Sequence, residues 1–179
     1  NNATFKNNMR TNSDATFFRS EENQTNETES TNVIERHRYW VNFGTAGDNP
    51  SYFNQNLIGY MTGATNGYDS QIDGKMFPYD GNALFTIVED MEDLFVIQGR
   101  ALPFQDTDVV RIGLKILYPG NFKIKIANMD GLFAEGQQIY IRDNDLNIVH
   151  NLTESDYEFS AEVGLYRDRL EFIDRKSVV

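Results

Sequence analysis

The chain has 179 residues, no cysteine, and 27 acidic against 16 basic side chains, which gives a net charge of −11 at neutral pH. The length suits one domain with an appended segment, and the lack of cysteine excludes disulfides, thiolate zinc sites and cysteine nucleophiles. A strongly acidic protein repels phosphate backbones, so nucleic acid is not expected as a partner. No apolar run approaches the roughly 20 residues that a membrane-spanning helix needs, so membrane insertion is not expected either.

Residues 1–32 differ in composition from the rest of the chain. Asn, Thr, Ser and Glu dominate, and residues 19–32 include no apolar side chain. Such a segment cannot bury enough surface to offset the entropy lost on ordering. We therefore expect residues 1–32 to form a flexible N-terminal extension or linker. Two short β-favouring pieces, 3–6 and 15–18, leave open two alternatives, the last strand of a preceding domain or an edge strand of the main sheet.

Residues 33–174 carry short apolar segments separated by turn signals, which predict one β-domain. In its first half we expect strands over 34–43, 57–61, 84–88 and 94–98. The last three are nearly continuous apolar runs, which is typical of strands covered on both faces. In the first strand, alternation places Tyr39, Val41 and Phe43 on one face and Trp40 on the other.

The second half of the domain shows clearer alternation of apolar and polar residues. Segments 110–116 and 122–126 alternate on either side of turn residues 118–121, which predicts a hairpin. A second hairpin is predicted from 138–142 and 147–150, and two further strands lie around residues 157–159 and 170–172. Roughly nine or ten strands in about 140 residues predict an all-β fold, an antiparallel jelly-roll-like sandwich.

Five short sequence segments follow one another within this domain. They are His37–Asn42, Leu57–Asp69, Ile97–Phe104, Asp106–Asp108 and Val149–Leu152. As an ordered set they resemble a region near the C-terminus of large surface and secreted proteins of gliding Bacteroidota, directly before the type IX secretion sorting signal. The resemblance covers almost all of residues 34–173.

This resemblance implies a β-domain on the cargo side of the type IX pathway, located outside the cell or at its surface. The partner it implies is the secretion or surface-attachment machinery, and it carries over no catalytic residue. Residues 175–179 fall where chains of that family pass into the sorting domain, so they are expected to form a C-terminal linker.

Four aspartates on predicted loops, Asp69, Asp73, Asp106 and Asp108, provide the hard oxygen ligands that calcium prefers. They suggest a structural calcium ion, the one cofactor that we consider for this chain. The alternative is that these loop carboxylates are simply solvated.

A second calcium pattern lies in the predicted second hairpin. Asp143, Asp145 and Asn147 have the one-three-five spacing of a calcium loop, but Ile148 occupies the position where such a loop needs glycine. Asp and Asn are also the preferred residues of hairpin turns. We therefore interpret this segment as a turn.

Aromatic side chains cluster on or beside loops in the first half of the domain, where they could stack on sugar rings of surface glycans. The candidate glycan-binding residues are Trp40, Tyr52, Tyr60, Tyr68 and Tyr79. The alternative is that they fill the core, as most aromatics in a sandwich do.

No set of residues predicts catalysis. His37 and His150 are the only histidines, and no Ser, His and acid spacing suggests a triad. With no acid, base or nucleophile to name, we do not expect an enzyme. The sequence predicts a non-catalytic module of an exported protein, with a structural, spacer or secretion-associated role. The alternative is a carbohydrate-binding or adhesin module.

Overall fold

A computed structural model of the chain describes residues 34–173. The predictions for residues 1–32 and 175–179 lie outside this range. Strands account for 53% of the described residues and no α-helix occurs among them, which confirms the all-β class. The strands are β1 (Arg36–Thr45), β2 (Tyr52–Met61), β3 (Gly74–Lys75), β4 (Ala83–Thr86), β5 (Phe95–Arg100), β6 (Val109–Ile116), β7 (Gly120–Asp130), β8 (Tyr140–Asp143), β9 (Ile148–Asn151), β10 (Tyr157–Ala161) and β11 (Gly164–Ile173).

These strands form one bent sheet in the order β10-β7-β1-β2-β5-β4-β6-β11-β8-β9, with the two-residue strand β3 paired to β5. Strands β2 and β5 run parallel, whereas the other pairs are antiparallel. A single residue pair, Thr86 with Phe95, joins β4 to β5. The sheet folds over at this narrow joint, and its two halves pack against each other in a nearly closed, sandwich-like fold.

The predicted hairpin of residues 110–126 is wrong. Strand β6 pairs with β4 and β11, whereas β7 pairs with β1 and β10, so residues 117–119 carry the chain from one half of the sheet to the other. Alternation identifies a half-buried strand but does not identify its neighbour. The second predicted hairpin, β8 with β9, is confirmed.

The core lies between the two halves. Tyr39, Val41 and Phe43 of β1 are completely buried, which confirms the predicted inward face of that strand. The Tyr39 ring lies 4.9 Å from that of Phe133, which ends a short 3-10 helix (Gly131–Phe133). It also lies 5.8 Å from the Phe172 ring of β11, centroid to centroid. Burial of such side chains contributes about 1.5–3 kcal/mol each, so opposite halves of the sheet stabilise one another.

The narrow joint between β4 and β5 is supported by side-chain amides of β2. Asn54 Nδ2 donates to the Leu84 carbonyl at 2.7 Å, and the Leu84 amide donates to Asn54 Oδ1 at 3.0 Å. Asn56 Nδ2 donates to the same carbonyl at 3.1 Å. The Asn54 and Asn56 side chains therefore satisfy the Leu84 amide and carbonyl groups, which a neighbouring strand would otherwise have to pair.

A buried ion pair joins the two ends of the strand order. Asp143 at the end of β8 is fully buried. Its Oδ2 accepts hydrogen bonds from Arg169 Nη2 at 2.8 Å, Arg169 Nε at 3.0 Å and the Tyr157 hydroxyl at 2.8 Å. Arg169 Nη1 also donates to the Ser160 carbonyl at 3.1 Å. Since Tyr157 and Ser160 belong to β10, and Asp143 to β8, this cluster closes the sheet.

The charge states in this closing cluster are strongly favoured. Burial alone would raise the pKa of Asp143, but hydrogen bonds from Arg169, Tyr157 and the Leu146 amide outweigh burial and hold that pKa below its ordinary value. Burial, together with the hydrogen bond to Asp143, raises the pKa of the Tyr157 hydroxyl well above its ordinary value. The carboxylate is therefore charged and the phenol neutral at physiological pH.

Both ends of the described chain lie at one end of the fold, which we call the proximal end. Arg36 at the start of β1 pairs with Met61 at the end of β2, and Ile173 at the end of β11 pairs with Val109 at the start of β6. A hydrogen bond from the Tyr60 hydroxyl to Asp108 connects these two regions. The β6–β7 and β10–β11 turns lie at the opposite, distal end, where β10 and β11 border the start of β7 and the end of β6.

We expect Asp143→Ala to lower the free energy of unfolding by about 3 kcal/mol, because the buried Arg169 charge loses its main partner and keeps the more exposed Asp145 carboxylate at 3.6 Å. Urea denaturation followed by tyrosine and tryptophan fluorescence measures the loss. The control is Asp168→Ala, which removes an ion pair to Arg111 in which the Asp168 side chain is 84% exposed. It should cost at most about 1 kcal/mol. Equal losses in the two variants would contradict a special role for the buried pair.

The same cluster predicts opposite responses to acid and base. A lowered folded pKa means that the contribution of Asp143 is complete above its ordinary value of 3.8 and is lost as the pH falls through the lower folded value. The raised pKa of Tyr157 means that its contribution is complete below 10.0 and is lost at higher pH. Denaturation across pH should show Asp143→Asn converging on the wild type in acid. Tyr157→Phe should resist alkali better than the wild type, and parallel pH profiles would contradict both expectations.

Candidate functional site

The candidate site is the loop of residues 62–73, which connects β2 to β3. Because β2 and β5 are parallel, the segments that follow them leave the sheet side by side at the proximal end. Asp73 is buried and holds the loop to the sheet. Its Oδ1 accepts from the Gly99 amide of β5 at 2.6 Å, and its Oδ2 accepts from the Asp69 amide at 2.7 Å.

Further side-chain to backbone bonds fix the tip of the 62–73 loop. Asp69 Oδ2 accepts from the Thr65 amide at 2.6 Å and from the Thr65 hydroxyl at 3.0 Å. The Thr65 Oγ1 in turn accepts from the Gly67 amide at 3.2 Å. Asn66 Oδ1 accepts from the Ala101 amide at 3.0 Å, which ties the tip to the segment after β5. The loop conformation is therefore set by the protein before any ligand arrives.

Glycine at position 99 allows the loop to lie against β5. A Cβ atom at Gly99 would come within 2.7 Å of Ile72 Cγ2 and 3.1 Å of Ala64 Cβ. The first distance is too short for two carbon atoms, so only glycine permits this approach. The sequence segments Leu57–Asp69 and Ile97–Phe104 are far apart in the chain but lie next to each other at this position.

The loop borders a solvent-open cavity of about 450 Å³. The residues that line it are Thr62, Gly63, Tyr68, Asp69, Ser70, Gln71 and Ile72. The Tyr68 ring lies 5.6 Å from the Phe95 ring and is approached by Lys75 Nζ at 5.4 Å from its centroid. Hydroxyls, an amide, a carboxylate and one aromatic ring thus face a single small space.

The structure does not bring the five candidate glycan-binding aromatics together. Tyr52, Tyr68 and Tyr79 are exposed, but of the five only Tyr68 lines the cavity. Trp40 is half-buried on the outer face of β1, where the Arg38 guanidinium lies 4.9 Å from its ring.

Tyr60 requires a correction. It is 1% exposed and packs against Phe104 at 4.9 Å in the core, so it is not available to stack on a sugar ring. Alternation places every second residue of β2 inward, and Tyr60 shares the inward face with Ile58. The predicted strand 57–61 ends at the same residue as β2, but its nearly continuous apolar run did not indicate which of its side chains point into the core.

Three of the four aspartates of the predicted calcium site, Asp69, Asp73 and Asp108, accept hydrogen bonds from protein donors. Asp69 and Asp73 accept backbone amides as described above. Asp108 accepts from Arg100 Nε at 2.8 Å, from Arg100 Nη2 and from the Tyr60 hydroxyl at 2.9 Å. Asp106 lies exposed in the same proximal segment. Within residues 34–173 no group of three or more His, Cys, Asp or Glu side chains could hold a metal ion, so the geometry gives no support for this calcium site.

The turn interpretation of residues 143–147 agrees with the structure. Asp143 accepts the amides of Asp145 and Leu146 at 3.0 and 3.1 Å. Asn147 has φ of 53°, a left-handed conformation that Asn tolerates well. These are the features of a tight hairpin turn whose first residue faces the core.

One Ser–His contact was not predicted from the sequence. The His150 Nε2 atom lies 3.2 Å from the Ser155 hydroxyl and 2.9 Å from the Ser155 carbonyl oxygen. An Nε2–H that donates to this carbonyl cannot at the same time accept the hydroxyl proton, as a general base must. The contact closes the turn between β9 and β10. His37 is likewise structural, since its Nδ1 accepts the Leu132 amide at 3.2 Å.

A smaller hollow of about 220 Å³ lies over the closing cluster and includes Arg169 and Glu162 in its lining. The Arg169 guanidinium is already bound by Asp143, so it serves the fold. No helix in the described part of the chain is long and apolar enough to span a membrane.

Comparison with known families identifies a matching family model. The family model described as Domain of unknown function (DUF8693) matches residues 1–173. No curated protein and no solved structure matches the chain.

We expect Gly99→Ala to displace the 62–73 loop from β5, because the new methyl group would overlap Ile72. Hydrogen exchange should accelerate at the amides of Gly99 and Asp69, which both donate to Asp73. The matched control is Gly120→Ala, where the nearest atom to the new methyl group would be Phe122 Cζ at 3.9 Å. Unchanged exchange in Gly99→Ala, measured by mass spectrometry, would show that the loop is not held as described.

Proposed function

Because the chain belongs to the DUF8693 family, whose description assigns no activity, we propose its function from the residues and the fold. We propose that it is a non-catalytic β-sandwich module of an exported protein, at the cell surface or secreted. Its role is to present a rigid distal end away from the attachment points of the chain. The resemblance to cargo of the type IX secretion pathway supports the location, and the geometry supports the role.

The chain path carries this proposal. Residues 34–36 and 173, the two ends of the described chain, both lie at the proximal end of the fold. A spacer domain in a linear array of domains would have its N- and C-terminal ends at opposite ends of the fold. In this domain both ends lie together, and the β6–β7 and β10–β11 turns lie at the opposite, distal end.

The distal end offers an exposed surface that includes several apolar side chains. Lys115 of β6 donates from Nζ to the Tyr79 carbonyl at 2.6 Å, and Asn82 Oδ1 accepts the amides of Leu117 and Tyr118 at 2.8 and 2.9 Å. These hydrogen bonds fix the backbone near the exposed apolar side chains of the distal end. The exposed apolar residues of this end include Tyr79, Leu117, Tyr118, Val163 and Leu165.

The ionisable groups support a non-catalytic role. Among the described residues, the carboxylates with a lowered pKa are Asp130, held by hydrogen bonds from Arg38, and Asp143, held by those from Arg169 and Tyr157. Both are fixed by arginines between strands, where they stabilise the fold. Neither lines the 450 Å³ cavity, and a catalytic acid or base needs access to a bound substrate.

A second candidate function is glycan binding. The observation that favours it is the preformed cavity of the 62–73 loop, which places Tyr68 beside several polar side chains. Small-molecule sites commonly combine a preformed hollow, an aromatic wall and a few polar groups. A presenting module and a glycan-binding module are compatible, since the same exported domain can do both.

Labelling of single cysteines tests the exported location, because the chain has no cysteine of its own. We expect Val163→Cys, at a distal position that is 62% exposed, to react with a membrane-impermeant maleimide on intact cells or in the culture medium. Val41→Cys, at a fully buried position, should react only after denaturation. Mass spectrometry of the labelled peptide reads the result. Reaction of Val163→Cys only after cell lysis would overturn the proposed location.

A further inference from the structure

The cavity of the 62–73 loop has a composition that selects among ligands. We infer that it binds one ring of a neutral saccharide, and that acidic saccharides are excluded from it. This inference rests on the second candidate function, glycan binding, and adds the site and the charge class of the ligand.

The unused hydrogen-bonding groups of the cavity match those of a sugar ring. Ser70 and Gln71 are exposed, and their side chains make no hydrogen bond to the rest of the described chain. The Asp69 Oδ2 atom is occupied by Thr65, whereas its Oδ1 atom accepts no hydrogen bond within residues 34–173. Hydroxyl and amide groups both donate and accept, and a carboxylate oxygen accepts, so this set complements the hydroxyls of a sugar.

The charges around the cavity disfavour an anion. Asp69 is the charged residue among those that line it. Lys75 lies beside the cavity, where its Nζ approaches the Tyr68 ring at 5.4 Å from the centroid, but this ammonium group is bound to Asp93 at 2.7 Å. A uronate or sulfate group would therefore meet the Asp69 carboxylate and no cation among the lining residues, on a protein whose net charge is −11.

The cavity is also suited in size and rigidity. Its volume of about 450 Å³ lies within the range of roughly 300–1,000 Å³ that is usual for small-molecule sites. Asp73 and Asp69 hold the loop through backbone amides, so ligand binding does not have to order it. The Tyr68 ring packs against Phe95 and is approached by Lys75 Nζ, and its exposed part provides an aromatic surface for the C–H groups of a sugar.

The test compares neutral and acidic hexasaccharides by isothermal titration calorimetry with the full chain. The neutral probes are those of β-1,4-linked glucose, xylose, mannose and N-acetylglucosamine, and the acidic probe is that of galacturonic acid. We expect binding of at least one neutral probe and none of the acidic one. The double variant Ser70→Ala/Gln71→Ala should weaken binding at least about tenfold, since two hydrogen bonds to the ligand are lost.

The matched control is Ser51→Ala/Gln105→Ala, which removes the same two side-chain types at exposed positions outside the cavity. It should bind as the wild type does, and equal melting temperatures will show that both double variants are folded. Amide chemical shifts of Gly63, Ser70 and Gln71 should move on titration of the neutral probe.

Each contrary result has a distinct meaning. Binding of the acidic probe as tightly as the neutral ones overturns the inferred charge class and leaves glycan binding intact. Neutral binding that survives in Ser70→Ala/Gln71→Ala places the site elsewhere and overturns the inferred location. Failure of all probes to bind removes glycan binding itself, while the proposal of an exported presenting module is decided separately by the cysteine labelling.

Discussion

The fold depends on one buried carboxylate. Asp143 stands near one end of the strand order, and Tyr157 stands on the strand at the other end, so their hydrogen bond converts an open sheet into a nearly closed one. Arg169 neutralises the carboxylate and also binds the β10 backbone. An open sheet of this length would expose two edges to pairing with other chains. Closure by a polar cluster protects the interior without disulfides, which this cysteine-free sequence cannot form.

Closure at one place leaves the two ends of the fold with different contents. The proximal end includes both ends of the described chain, the Arg100–Asp108 pair and the segments that follow the parallel strands β2 and β5. The distal end consists of tight turns held by Asn82 and Lys115. A parallel pair in an otherwise antiparallel sheet is what brings the 62–73 loop beside the segment after β5. Without it, the bond from the Ala101 amide to Asn66 could not form, and the cavity would have no fixed wall.

Sequence reasoning recovered what depends on local pattern and missed what depends on partners. Ten of the strands follow from alternation or from buried apolar runs, and the inward face of β1 follows from Tyr39 and Val41. The wrong hairpin of β6 and β7 shows the limit of sequence patterns. The same alternation is compatible with β7 pairing beside β6 and with the chain crossing to the other half of the sheet. Strand β3 has two residues and carries no periodic signal at all. Tyr60 was counted among the glycan-binding candidates beside loops although it lies in the predicted strand 57–61, because alternation alone did not show which face of that strand is buried.

The aspartates show why the candidate site was harder to predict than the fold. Asp on a loop is compatible with a metal ligand, a solvated charge or a cap for backbone amides, and the sequence is the same in each case. The structure separates these roles by geometry, since Asp73 is buried between the Gly99 and Asp69 amides, while Asp69 accepts hydrogen bonds within residues 34–173 through Oδ2 alone. Two of the carboxylates that suggested calcium, Asp69 and Asp73, therefore organise a rigid loop. The proposed saccharide contacts would come from Ser70 and Gln71, polar residues whose types are common on any surface and become informative only through their place in the cavity.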